Sequence, residues 1–322
     1  MSAGDLLVIY AVNIHTGGGK VLLDELLTRS PFEKITGAFL DARYPLPKTL
    51  DFPVYISKSR LWGRLKSEFA LHRFLKNNSR FLAQEEILFF GNIPPFFKPR
   101  NPSRLYLQNC FLTRQVPLPH DSFKLLLRLW IESRLLKLFS NRVDEVWVQT
   151  KWMKSMTLNF LPQANVRIKP FLPTLPLVDL KSAKRTYDLL FVGSFAAHKR
   201  LSFFLEALKL VEEKLTQKIK VFIAMDHPPT DINLANFKLI ELELRFQISH
   251  GQLLKIYADS KVFVATSLYE SFYLPLYEAH HYRCNIIAPL AGYTEDLNFK
   301  VSHFDSSKKE DLARAILTSL QD

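Results

Sequence analysis

The sequence predicts an α/β protein built from two doubly wound domains, each a parallel sheet with crossover helices. Three observations predict it. Short apolar, β-branched runs alternate with longer helical patterns through the whole chain, a proline-rich stretch breaks the alternation once near the middle, and the charge balance changes at the same place. Alternation of this kind marks parallel strands joined by helices. The chain has 322 residues, 48% hydrophobic and 23% charged, which excludes a disordered chain and is enough for two globular domains. Its two cysteines, Cys110 and Cys284, are far apart. They form no disulfide framework and fit a reducing compartment.

In the first half, strand-like runs fall at Leu6–Asn13, Ile35–Leu40, Val54–Ser57, Ile87–Phe90, Leu105–Gln108 and Val143–Gln149. Helical patterns cover Gly19–Arg29 and Phe123–Ser140, and an amphipathic basic stretch covers residues 56–80. In the second half the strand runs are Leu189–Val192, Lys220–Ala224, Lys238–Glu241, Val262–Thr266 and Ile286–Ala288. Helices are predicted at Leu201–Leu215, His250–Ala258 and Leu276–Tyr282, and the last helix of the chain is free to pack back on the first domain. Lys169–Pro176 carries Pro170, Pro173 and Pro176, so it is neither helix nor central strand and reads as a linker. Domains 1–170 and 171–322 follow. They are expected to face each other across a cleft, with ligand at the carboxyl ends of the strands. No apolar run approaches the ~20 residues that span a bilayer, and no cleavable leader pattern opens the chain. A soluble or peripheral protein is expected.

The net charge of +12 lies entirely in the first half: residues 1–170 hold 25 Lys+Arg and 13 Asp+Glu, whereas residues 171–322 hold 18 of each. Residues 56–80 mix Lys58, Arg60, Arg64, Lys66, Arg73, Lys76 and Arg80 with Leu61, Trp62, Leu65, Phe69, Phe74 and Leu75, and Phe123–Arg142 repeats the mixture. Such helices can lie in the headgroup region of an anionic membrane, bind nucleic acid, or pack on a core with a solvated basic face. The pattern alone leaves these readings open.

Three segments carry chemistry. The turn after the first strand, Asn13-Ile14-His15-Thr16-Gly17-Gly18-Gly19-Lys20, lets backbone approach a ligand and offers helix N–H groups to an anion. It is neither a P-loop nor a Gly-x-Gly-x-x-Gly turn, and a ligand-free tight turn explains it as well. In the second half a strand ends at Gly193-Ser194, followed by His198-Lys199-Arg200 at a helix start, which suits a diphosphate. Most telling is Tyr269-Glu270-Ser271-Phe272-Tyr273-Leu274-Pro275-Leu276-Tyr277-Glu278, with one carboxylate in a post-strand loop and the other in the next helix. Both are expected to reach the ligand end of the sheet, where a carboxylate can take ribose or sugar hydroxyls. His280, His281 and Cys284 make an improbable metal site, since adjacent helical side chains diverge by about 100°. No Asp-x-Asp pair is present to hold a divalent metal on a diphosphate.

At Tyr187–Leu208, at Gln252–Leu297, in the Glu-x7-Glu element, and at Val146–Met153 the chain resembles the retaining GT-B-fold glycosyltransferases of family 4, the group 1 glycosyltransferases. The resemblance implies that Glu278 binds the donor ribose, Glu270 sits near the transferred sugar and Lys199 neutralises the leaving diphosphate. Arg200, Ser194 and the backbone of Phe272, Tyr273 and Leu274 join on the donor side, and Gly17, Gly18 and Gly19 close the cleft from the first domain. Asn92, Asn109 and His15 fall on the acceptor or sugar side. The chain departs from the family where Ser271-Phe272-Tyr273 replaces Gly-Phe-Gly, where Ser194 replaces a frequent Arg, where Arg283-Cys284-Asn285 replaces Gly-x-Pro, and where Asn92 replaces a histidine.

The resemblance further implies a nucleotide-sugar donor, a glycan or lipid-linked acceptor and no divalent metal or other cofactor. In this setting the basic segments become a membrane contact through Arg60, Trp62, Arg64, Lys66 and Arg73. The expected setting is the inner face of the cytoplasmic membrane, in bacterial surface polysaccharide or lipopolysaccharide assembly. No nucleic-acid partner is expected. The rival readings are a non-catalytic scaffold of the same fold and a basic nucleic-acid binder.

Overall fold

The computed structural model describes residues 6–29, 34–47, 49–58, 61–77, 85–117, 122–177, 184–194, 196–227 and 237–321. The chain divides into two compact units between Thr174 and Leu175.

The first unit contains β1 (Leu6–Ala11), α1 (Gly17–Arg29), β2 (Lys34–Asp41), β3 (Val54–Ser57), α2 (Leu61–Asn77), β4 (Glu85–Phe90), β5 (Ser103–Tyr106), α3 (Phe123–Phe139), β6 (Glu145–Val148), α4 (Lys151–Phe160) and β7 (Val166–Ile168). Its sheet runs β3-β2-β1-β4-β5-β6-β7, and every pairing is parallel. β1 reads Leu-Leu-Val-Ile-Tyr-Ala without polar alternation because both faces of a central parallel strand are covered. On one face Leu22, Leu23, Leu26 and Leu27 of α1 pack against Leu7, Ile9 and Leu40. The start of α3 is fixed by Ser122, whose hydroxyl accepts from Leu125 N–H, and that of α4 by Thr150, which accepts from Met153 N–H.

α2 corrects one expectation. Its core face is Arg64, Ser67, Glu68, Leu71, Phe74 and Leu75, all buried, while Trp62, Lys66, Phe69 and Arg73 lie exposed. Arg64 is therefore no membrane contact. Its guanidinium donates to the carbonyls of Ile93 (2.8 Å) and Pro94 (3.0 Å) and pairs with buried Glu68 at 3.3 Å. Glu68 also accepts from the N–H groups of Phe96 and Phe97. Burial still pushes its carboxyl above the ordinary range. Lys66, Arg73 and Trp62 remain available on the surface, and Arg60 lies outside the described residues.

The second unit contains β8 (Tyr187–Gly193), α5 (Leu201–Glu212), β9 (Ile219–Met225), β10 (Ile240–Phe246), α6 (His250–Ala258), β11 (Ser260–Val264), α7 (Leu274–His281), β12 (Asn285–Pro289), β13 (Ser302–Phe304) and α8 (Lys309–Gln321). The parallel sheet runs β10-β9-β8-β11-β12-β13. The last helix packs in its own unit: Leu312, Ala313 and Ile316 join a core with Phe204, Leu208 and Val211 of α5 and Phe304 of β13.

The proline-rich stretch is anchored rather than free. Phe171 packs against Tyr106 (5.4 Å between centroids) and Phe90, and Tyr106 donates to the carbonyl of Lys169. Further on, the carbonyl of Pro176 accepts from Tyr282 within the second unit. Hence the boundary lies a few residues beyond the expected 170. Among the described residues no helix is long and apolar enough to cross a membrane.

Candidate functional site

In a doubly wound sheet the loops on either side of the strand-order reversal diverge and leave a crevice at the carboxyl ends. In the second unit that point lies between β8 and β11. The loop after β8 holds Ser194, His198, Lys199 and Arg200, and the loop after β11 holds Ser267 through Tyr273. Two bonds tie the loops together: Thr266 Oγ1 donates to the carbonyl of Lys199 (2.5 Å), and Leu268 N–H donates to that of His198 (3.0 Å). Gly193 cannot carry a side chain, because a Cβ there would stand 2.7 Å from the ring of Phe191, itself buried and stacked on Phe204.

Lys199 and Glu270 meet in this crevice. Lys199 Nζ donates to Glu270 Oε1 at 2.5 Å, Ser267 Oγ donates to the same oxygen at 2.6 Å, and His198 Nε2 is 3.9 Å away. The ammonium also lies over the ring of Tyr273, 4.4 Å from its centroid. That ring is buried, and its hydroxyl donates to the carbonyl of Val192 at 2.9 Å. Burial and the carboxylates of Glu270 and Glu278 push the Tyr273 hydroxyl well above its ordinary range, so it stays neutral. Tyr273 thus occupies space that a glycine leaves empty, and forms a wall behind the lysine.

The turn into α7 revises one donor contact. Leu274 N–H donates to the carbonyl of Phe272 (3.1 Å), and Tyr273 sits at φ −89°, ψ 84°, an inverse γ-turn. The Leu274 N–H therefore does not point at a ligand. The N–H groups of Phe272 and Tyr273 donate to no other group among the described residues. The Phe272 ring stacks on Tyr277 at 4.5 Å. Arg200 turns away from Lys199: its left-handed backbone (φ 55°) places the guanidinium over Phe203 and on the carbonyl of Ser306 at 2.6 Å. Ser194 Oγ accepts from Ala196 N–H and shapes the loop.

Glu278 lies in α7, 2% exposed, and its Oε1 accepts from His250 Nε2 at 2.6 Å. Neither His250 nor Ser267 was singled out from sequence. The Ser249–Gln252 capping box at the head of α6 was the available signal for the former.

In the first unit the corresponding reversal lies between β1 and β4. The turn after β1 opens α1 at Gly17, whose φ of 65° suits glycine, and positions 17 and 18 are open to solvent. His15 Nδ1 is buried there without a hydrogen-bond partner among the described residues. Asn92, after β4, accepts from Gln108 N–H through Oδ1 (2.6 Å) in a left-handed conformation that asparagine tolerates. Asn109 accepts from Phe111 N–H and caps the short helical turn Cys110–Thr113. Both asparagine carbonyls thus brace loops.

Residues 177–322 match the family Glycosyl transferases group 1. No protein of curated function matches the chain in sequence. Among solved structures, sucrose-phosphate synthase from Thermosynechococcus elongatus is similar over 99% of this chain and 90% of its own, with a TM-score of 0.66 at 15% identity. Anabaena HepE, solved with UDP and glucose, is similar over 99% and 90% (TM-score 0.63, 14% identity). The lipopolysaccharide outer core galactosyltransferase WaaB is similar over 98% and 90% (TM-score 0.63, 11% identity). The fold is GT-B, with two parallel-sheet α/β domains.

Proposed function

We propose that the protein is a retaining, metal-independent glycosyltransferase that moves a sugar from a nucleoside diphosphate to a glycan or lipid-linked acceptor. The observation that carries this reading is the Lys199–Glu270 pair at the strand-order reversal of a unit matching the group 1 family, with Glu278 in the helix that follows the Glu270 loop. Solved neighbours add support, since HepE was captured with UDP and glucose, and WaaB is a galactosyltransferase.

In this reading the Lys199 ammonium balances charge as the bond between the anomeric carbon and the diphosphate oxygen breaks. The acceptor hydroxyl forms the new bond on the same face and gives its proton to the departing diphosphate. Glu270 then has a double role: it holds Lys199 before donor binds and faces the sugar hydroxyls afterwards. Catalysis rests on preorganised charge at the leaving group.

The acceptor side of the proposal is a saccharide presented at an anionic membrane surface, as in lipopolysaccharide or capsule assembly. Support comes from α3, whose outer face carries Phe123 (77% exposed), Leu127, Trp130, Ile131 and Leu138 (66% exposed) beside Lys124, Arg128, Arg134 and Lys137. A helix with that composition suits the headgroup boundary.

Thermal unfolding with UDP, GDP, ADP, CMP and their sugar conjugates, with and without EDTA, tests the donor reading. A rise in midpoint with one nucleotide, lost in Glu278→Ala and indifferent to EDTA, is the expected result. No shift with any of them moves the assignment to a non-catalytic scaffold.

A further inference from the structure

Glu278 is a carboxylate almost closed to solvent, with its side chain 3% exposed. Such a group must be hydrogen-bonded. The bond comes from His250, whose ring is the solvent-facing member of the pair at 32% exposed. His250 is the first residue of α6, and its backbone is set by the capping box. Ser249 accepts from Gln252 N–H at 3.3 Å, and Gln252 Oε1 accepts from Ser249 N–H at 3.0 Å. The imidazole is thus delivered to Glu278 from a fixed helix start.

Position matters as much as contact. α6 follows β10 and α7 follows β11, so both helices begin at the carboxyl end of the parallel sheet. That is the end where Lys199 and Glu270 meet. The other titratable groups facing Glu278 are Tyr257 from α6, and Tyr273 and Tyr282 at the two ends of α7. Burial keeps all three hydroxyls neutral. His250 is the neighbour able to hold the carboxylate with a ring N–H while remaining open to an incoming ligand.

We propose that His250 is a positioning residue of the donor site, which orients Glu278 to take the vicinal 2′,3′-diol of a ribonucleotide. The inference rests on the reading of the second unit as the donor-binding unit. A carboxylate free to rotate receives two hydroxyls poorly. One whose Oε1 is held by His250 Nε2 presents its remaining lone pairs in a fixed plane, which turns diol binding into discrimination against a missing hydroxyl. The ligand class is a ribonucleoside diphosphate, with the ribose read by the His250–Glu278 pair and the diphosphate by Lys199.

Affinities of the full chain for UDP, GDP, ADP and their 2′-deoxy counterparts test it, in wild type, His250→Ala, His250→Gln and Glu278→Gln. The wild type is expected to prefer one ribonucleotide over its deoxy form by about tenfold or more, the worth of a hydrogen bond to a charged group. His250→Ala should lose most of that preference while binding the deoxy form nearly as before. His250→Gln, whose amide N–H reaches the same oxygen, should restore it. An unchanged melting midpoint without nucleotide shows that His250→Ala folds. If His250→Ala keeps the wild-type ratio, or if wild type binds ribo and deoxy forms alike, the inference is overturned and the donor-site reading stands. If wild type binds none of the nucleotides, the donor-site reading falls and takes the inference with it.

Discussion

Lys199 and Glu270 stand 71 positions apart in sequence, yet Nζ lies 2.5 Å from Oε1, with the two side chains 16% and 15% exposed. The contact exists because β8 and β11 are adjacent parallel strands, so the loops leaving them share one end of the sheet. In the proposed reading, an ammonium held this way stands ready for an anionic leaving group.

Lys199→Ala should therefore slow sugar transfer by about two orders of magnitude, the scale of losing one preorganised electrostatic group. Nucleotide affinity should fall much less, because contacts away from the breaking bond remain. Initial rates at saturating donor measure the first effect and calorimetry the second. Near wild-type turnover would remove Lys199 from the chemistry.

Tyr273 is a structural prop for that lysine, and two substitutions separate its parts. Tyr273→Phe deletes the bond to the Val192 carbonyl and should cost about 1 kcal/mol, rising toward ~3 where the carbonyl finds no water. Tyr273→Gly also removes a buried ring and should cost about 3–5 kcal/mol. Urea unfolding followed by fluorescence measures both. A Gly variant as stable as wild type would mean that the ring fills no necessary space.

These two residues illustrate what was legible in the sequence. The alternation of apolar runs and the glycine-ended strand are legible as β8, β11 and the ligand end of the sheet, which brings the Lys199 and Glu270 loops to one place and puts Glu278 in the helix that follows. The short edge strands β7 and β13, three residues each, carry too little pattern to register. Nor could periodicity say which side of α2 faces inward. That helix buries Arg64 and Glu68 as a pair against a loop 29 residues on and leaves Phe69 outside, an inversion of ordinary polarity that depends on the carbonyls of Ile93 and Pro94. The place of His250 is illegible in the sequence for the same reason: it depends on a partner 28 residues away.

The thiols are expected to be silent in the folded protein. Cys110 and Cys284 are both buried, and burial pushes the Cys284 thiol up to about 11 against the pull of Arg185. At pH 8 the thiolate fraction of Cys284 is then about one in a thousand. Reaction with a chromogenic disulfide should show no fast thiol in native protein and two after denaturation. Raising the pH to 9 should increase Cys284 labelling about tenfold if it proceeds from the folded state, because the thiolate population rises tenfold per unit below its pKa. Fast labelling at pH 8 would contradict the buried placement.

Arg64 and Arg73 lie on one helix and should behave as opposites. Arg64→Ala leaves Glu68 buried without its cation and should destabilise by about 3–5 kcal/mol. Arg73→Ala and Lys66→Ala, on the solvent face, should alter stability by no more than ~0.5 kcal/mol. Equal losses from Arg64→Ala and Arg73→Ala would show that the buried pair carries no special weight.

Membrane contact, if it follows the exposed surface, should depend on α3 more than on α2. The outer face of α3 places Trp130, Ile131 and Leu127 side by side among lysines and arginines, whereas α2 offers Trp62 and Phe69 above a helix anchored by buried charge. Vesicles containing anionic lipid should bind the protein, and neutral vesicles should bind it far less. Each surface Lys or Arg near the bilayer contributes about 1 kcal/mol, so Lys66→Ala with Arg73→Ala should weaken binding by roughly 10–30-fold if α2 also reaches the surface. Leu127→Glu with Trp130→Glu removes apolar insertion and adds like charge to the lipid, and should abolish binding while the protein still folds with a modestly lowered melting midpoint, because each side chain is about half exposed, at 45%. Co-sedimentation across lipid compositions reads all of these. Binding that ignores anionic lipid, or that survives Leu127→Glu with Trp130→Glu, would show that α3 is a solvated face and would remove the membrane from the proposed acceptor side.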